Sequence, residues 1–159
     1  MWSLPSSASH TVNVDPVDAW DFACKITGTD CSQITPPKVE GFPNGEGPCQ
    51  GLTWGAYSYQ LYPDTVFLCV DTLYYADPVF VQSVVAHEMT HYLDVQKDPE
   101  MDSCLTEWNA HRVGNAYVYS HGHPEWADFD WQVWYGCWQA PANDQDNFTI
   151  ILGDPDAAH

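Results

Sequence analysis

One segment constrains this chain more than any other: Val84-Val85-Ala86-His87-Glu88-Met89-Thr90-His91-Tyr92-Leu93. It has no proline or glycine, and Glu88, between two histidines, is its one acidic or basic residue outside histidine. Asp77-Pro78 upstream supplies an N-cap and a first helical residue, and Asp98-Pro99 stops the pattern. The spacing predicts a helix over 78–96, with Val81, Val84, Val85, Met89, Tyr92 and Leu93 as its apolar residues. Residues four apart on a helix differ by ~40° around the axis, so the His87 and His91 imidazoles leave consecutive turns in the same direction. Two nitrogen donors on one face suit a zinc ion. Glu88, beside the first donor, is placed to reach a water on that metal. Chance produces this HExxH roughly 0.01 times in a chain of this composition. A surface helix with two accidental histidines would show lysine and glutamate around them, and this segment does not.

The rest of the chain reads as one domain over 1–159. Residues 1–14 form a loose or strand-like lead-in. Asp15-Pro16 opens a helix near 16–26. Residues 27–50, with Pro36-Pro37, Pro43-Asn44-Gly45 and Gly47-Pro48, read as loop. Gly51–Leu61 and the β-branched run Thr65–Val70 read as strands able to pair as a hairpin. A helix follows from about 103 to 119, with Ser103 as its cap, and another spans 124–138. Phe148–Leu152 suggests a last short strand. With few Leu and Ile, the Trp-rich stretch 126–138 is expected to furnish core; a binding platform is the other reading.

Six cysteines, at 24, 31, 49, 69, 104 and 137, include no CxxC pair. Their even number and density indicate an oxidised, extracellular-type framework rather than a zinc knuckle. Local spacing favours Cys24–Cys31, with Cys49–Cys69 and Cys104–Cys137 as the remaining sequential pairs. The N-terminus lacks the basic and apolar segments of a signal peptide, which implies a removed leader or a route such as a virus particle.

The third metal ligand should come from the next helix. Cys104-Leu105-Thr106-Glu107-Trp108-Asn109-Ala110-His111 offers two candidates on one face, Glu107 and His111. The segment 65–115 resembles the active-site region of zincin metallopeptidases. Asp94 and Lys97 stand where metzincins extend the motif with Gly and His, so that branch is excluded. Glu107 followed by Ala110 resembles the ExxA of compact gluzincins, which implies His87, His91 and Glu107 as zinc ligands and Glu88 as general base. His111 is then a donor near the metal. Asp94, three residues past His91, is placed either to orient a ligand histidine or to face solvent at the helix end. His121-Gly122-His123 and Tyr117 are further candidates for a second metal or an oxyanion donor; exposure for the first and core packing for the second are the simpler readings.

Composition removes other functions. Four Lys+Arg against 22 Asp+Glu give a net charge of −18, which excludes nucleic-acid binding and attraction to anionic membrane. No run of 18 apolar residues exists to span a bilayer. Asn143-Asp144-Gln145-Asp146-Asn147 offers calcium-type oxygens but lacks the Gly and closing Glu of an EF-hand; a solvated acidic loop is the simpler reading. No GxSxG, Walker A or Rossmann pattern occurs.

The expectation is an α+β fold: a short twisted sheet packed on an active-site helix and a second metal-bearing helix, stabilised by disulfides. The implied function is hydrolysis of a peptide or protein substrate with one Zn²⁺, in a secreted or virion-associated setting with virion or cell-surface partners. By the family's pattern the substrate lies antiparallel to an edge strand, read here as Thr65–Val70. The alternative is a non-catalytic secreted or virion structural protein whose zinc site is closed by a fourth protein ligand.

Overall fold

The computed structural model describes residues 2–3, 10–51, 53–58 and 60–138. The fold is α+β, a three-stranded sheet packed against helices and tied by three disulfides. Strand β1 (Trp2–Ser3) pairs antiparallel with β2 (Asn13–Val14). Helix α1 (Pro16–Thr27) starts where expected: the Asp15 carboxylate accepts the Asp18 amide, and Pro16 follows it. Gly28, at φ 68°, ends it in the left-handed conformation that glycine reaches without a Cβ clash. Ala19, Trp20, Ala23 and Ile26 repeat at helical spacing and are buried.

The sheet order is β3 (Lys38–Phe42), β5 (Thr65–Cys69), β4 (Gly55–Tyr57). β5 pairs parallel with β3 and antiparallel with β4, and all five of its residues are buried. Its apolar, β-branched sequence suits that central position. β3 corrects the loop reading of 27–50. Lys38, Glu40 and Gly41 weaken its strand signal, but Val39 and Gly41 alternate inward beside β5. The strand expected over Gly51–Leu61 contracts to β4, which pairs with β5 as the predicted hairpin. A short helix, α2 (Val70–Leu73), follows β5 directly.

Helix α3 (Pro78–Lys97) has the Asp77 carboxylate accepting the Val79 amide at its start. Helix α4 (Ser103–Ser120) is capped by Asp102, not Ser103: the Asp102 carboxylate accepts the amides of Cys104 and Leu105. The connection 98–102 is short, so α4 returns along α3. Ala110, Val113 and Ala116 are buried along α4. Val66, Leu68, Val85, Met89 and Leu93 join α1 residues in the core between sheet and helices.

The helix expected at 124–138 is broken. A 3₁₀ turn at Pro124–Trp126 and a short α5 (Trp131–Tyr135) replace it, and Gly136 at φ 66° ends the second piece. Of its aromatic residues Trp131 is fully buried, while Trp134 and Trp138 are 79% and 69% exposed, so the stretch is mostly not core. The strand expected at Phe148–Leu152 and the acidic loop Asn143–Asn147 lie outside the described residues. The bridges are Cys24–Cys31, Cys49–Cys69 and Cys104–Cys137, the three sequential pairs. Among the described residues no helix is long and apolar enough to cross a membrane.

Candidate metal centre

α3 projects His87 and His91, one turn apart, toward α4, which returns Glu107. Donor atoms of these three residues all lie within 4.8 Å of one another. Nε2 of His91 is 3.3 Å from Glu107 Oε1, and Nε2 of His87 is 3.8 Å from Glu107 Oε2. A tetrahedral ion with bonds of about 2.0–2.1 Å requires donors about 3.3 Å apart; the His91–Glu107 pair has that spacing and the His87–Glu107 pair is wider. Glu107 Oε2 and His111 Nε2 are buried with no hydrogen-bond partner, although only 3.4 Å apart. Unpaired buried polar atoms are costly, and the Glu107 oxygen belongs to the three-residue group while His111 stands beside it. The residues therefore fit a metal ion.

The second nitrogen of His91 is occupied from α4. Thr106 donates its hydroxyl hydrogen to Asp94 Oδ2 at 2.7 Å, so its oxygen accepts from His91 Nδ1 at 2.8 Å. That arrangement places a proton on His91 Nδ1, so that in the neutral ring Nε2 is the nitrogen with the lone pair, on the Glu107 side. Asn109 Nδ2 donates to both Asp94 oxygens at 3.2 Å. Asp94 is thus buried and orients His91 through Thr106, not by direct contact. Ala110 is small and fully buried, which suits the close approach of the two helices.

Charge states follow from burial and proximity. Burial, together with the neighbouring His91 and His111, pushes His87 well below its ordinary value, toward the neutral form a ligand needs. Burial opposes the charge on His91, but its bond with Glu107 and the nearby carboxylates outweigh that and raise it. Burial also works against Glu107, yet the surrounding imidazoles, His111 and His91 first, hold its carboxyl well below the usual range. Glu88 has less compensation. Burial pushes its carboxyl up to about 7, with His91 opposing and Glu107 adding to the rise.

A cleft of about 580 Å³ opens over this group, with His87, Glu88 and His111 in its wall. Gly55 of β4 lies directly on Glu88. A Cβ there would sit 2.9 Å from the Phe67 carbonyl oxygen and 3.2 Å from Glu88 Cγ, so only glycine lets this strand pass. On the far side Trp131 stacks on the His111 ring at 5.2 Å, and Tyr135 stands 5.8 Å from it and lines the cleft. Burial, then the charges of Glu107 and Glu88, raise the Tyr135 hydroxyl to about 12.

Other candidates fall elsewhere. Tyr117 donates to Asp18 Oδ2 at 2.6 Å and helps lock α1 to α4, so it is no oxyanion donor at this centre. His121 stacks on Tyr117, and its Nδ1 is 2.8 Å from the Tyr117 carbonyl oxygen. His123 stacks on Trp126 and pairs with Glu125. Among the described residues neither joins a metal-holding group. Thr106, Asn109, Gly55 and Tyr135 were not singled out from sequence. Thr106 and Asn109 flank Glu107 on a helix whose polar face gave a faint signal; Tyr135 gave none, since only tertiary closure brings α5 to His111. No protein-family model, curated protein or solved structure matches the chain.

Proposed function

We propose that the chain is a zinc-dependent metallopeptidase of the gluzincin type, with His87, His91 and Glu107 as ligands and Glu88 as general base. The observation that carries the reading is the placement of Glu88. Its carboxylate lies beside the converging donors yet outside their set, in the wall of an open cleft. A purely structural site has no use for such a group. Two imidazoles and one carboxylate are a donor set typical of catalytic zinc. When bound, zinc supplies a Lewis acid that acidifies water and polarises a carbonyl.

The chain's own residues do the rest. Glu88, held near 7, takes a proton from the attacking water at neutral pH and returns it to the leaving nitrogen. Tyr135, neutral until about pH 12, and His111 face the cleft from the opposite side and can donate to an oxygen that gains charge. The strand that receives substrate is β4, not Thr65–Val70, because β5 is central and paired on both sides. Main-chain hydrogen bonds along the free edge of β4 would align a peptide over Glu88. Three disulfides agree with an oxidising environment, and a secreted or virion-borne protein is the setting we propose.

The test combines metal analysis with cleavage of an unbiased peptide library. One tightly bound zinc per chain, cleavage abolished by chelation and restored by zinc, and turnover at least a hundredfold lower in Glu88→Gln with zinc retained are expected. A Glu88→Gln protein with unchanged turnover would refute the assignment. A zinc closed off by His111 as fourth ligand, with no cleavage, would establish the structural alternative.

A further inference from the structure

We propose that the cleft takes a peptide bearing a lysine or arginine side chain, seated between an aromatic wall of Trp54, Phe80 and Trp126 and the carboxylate of Asp128. The proposal rests on the metallopeptidase reading and names its substrate class. Three separate elements build the wall: the approach to β4, the first turn of α3, and the 3₁₀ turn. Trp54 and Phe80 meet edge to face at 4.6 Å, and Phe80 and Trp126 at 6.5 Å. All three line the cleft. Aromatic faces attract a cation lying over them and also pack the aliphatic stem that carries it.

The charge lining the cleft has one sign. Glu88 and Asp128 are there, and no lysine or arginine is. Arg112 is engaged elsewhere, over Trp108 and with the Ile26 carbonyl, and Lys38 pairs with Asp64. Asp128 is also held in position. Buried Asn115 donates to the Asp128 carbonyl at 2.8 Å and accepts the Asp128 amide at 2.9 Å. Both functions of a buried amide are thereby committed to fixing one residue at the cleft. The clamp acts through the main chain, so it does not depend on the Asp128 carboxylate. An acidic side chain entering here would meet Asp128 and a net charge of −18.

Zinc-loaded Glu88→Gln protein provides the assay, because it binds peptide without consuming it. Peptides identical except for one residue, Lys, Arg, norleucine, Phe or Glu, scanned through successive positions, are titrated by tryptophan fluorescence and by calorimetry. The Lys and Arg peptides should bind about tenfold tighter than norleucine at low salt, with the advantage shrinking as salt rises. The Glu peptide should be weakest. Adding Asp128→Asn, which keeps an oxygen to accept the Asp130 amide, should remove the preference. The proposal is overturned if norleucine or Phe binds as well as Lys, if the preference survives Asp128→Asn, or if no peptide binds. Failure of the metallopeptidase reading shows separately, as wild-type protein that holds no zinc or cleaves nothing while the binding preference persists.

Discussion

Replacing Glu88 with Gln should stabilise the metal-free protein while removing its activity. Glu88 is 7% exposed and its carboxyl is held near 7, against 4.5 unperturbed. Below pH 4.5 it is protonated in both folded and unfolded chains, and the substitution changes little. Between about pH 4.5 and 7 the unfolded chain releases this proton while the folded one keeps it, so stability falls as pH rises. Above 7 the fold must hold a buried anion, at a cost of about 3 kcal/mol. Glutamine keeps the shape and never ionises. In a chain of this size the gap corresponds to a melting temperature about 6–12 °C higher for Glu88→Gln at pH 8, closing toward pH 4. Calorimetry of chelator-treated protein across this range is the measurement. Zinc should narrow the gap, since a cation beside the carboxylate favours its ionised form. Equal melting at pH 8 without metal, or a gap that does not grow with pH, would refute the reasoning.

Other substitutions probe the supports. Thr106→Val breaks the link from Asp94 to His91 and should weaken zinc affinity about 10–100-fold, with Thr106→Ser restoring most of it; competition with a chelator reads this directly. Replacing Cys104 and Cys137 with Ala opens a loop closed at a sequence separation of 33, and should cost about 3–4 kcal/mol in denaturant unfolding. Because that bridge fixes the end of α5 to the start of α4, turnover should fall as Tyr135 leaves the cleft. Gly55→Ala forces a Cβ against the Phe67 carbonyl and Glu88, and should cost about 1–3 kcal/mol and lower kcat more than it raises KM.

The parts of this fold that are local in sequence were readable. Asp-Pro pairs marked the starts of α1 and α3, and the apolar run at Thr65 marked β5. The disulfides follow chain order: spacing suggested Cys24–Cys31, and the other two are the sequential pairs that remained. His87, Glu88 and His91 were legible because they lie within one helical turn and a third; the next helix offered both Glu107 and His111, and only the resemblance to the gluzincin ExxA singled out Glu107. What escaped depends on tertiary neighbours. β3 is a strand because β5 lies beside it, not because Lys38-Val39-Glu40-Gly41-Phe42 prefers to be one. The pattern could not show that Thr106 stands between His91 and Asp94, which requires the rotation of α4 against α3. The tail misled because tryptophans suggest burial, whereas of the four in 126–138 only Trp131, against the His111 ring, is fully buried.

The three bridges never interleave: each loop closes before the next begins. During synthesis a chain emerging N-terminus first would present Cys24 and Cys31 together, then Cys49 and Cys69, and only later Cys104 and Cys137. Each thiol meets its native partner before a later competitor exists. Released all at once from denaturant, the same six cysteines face 15 pairings. The order of the cysteines therefore favours oxidation as the chain appears over oxidation of the finished chain. Stepwise delivery into an oxidising compartment should yield the native pairing with little rearrangement, where bulk refolding would depend on thiol exchange to correct its errors.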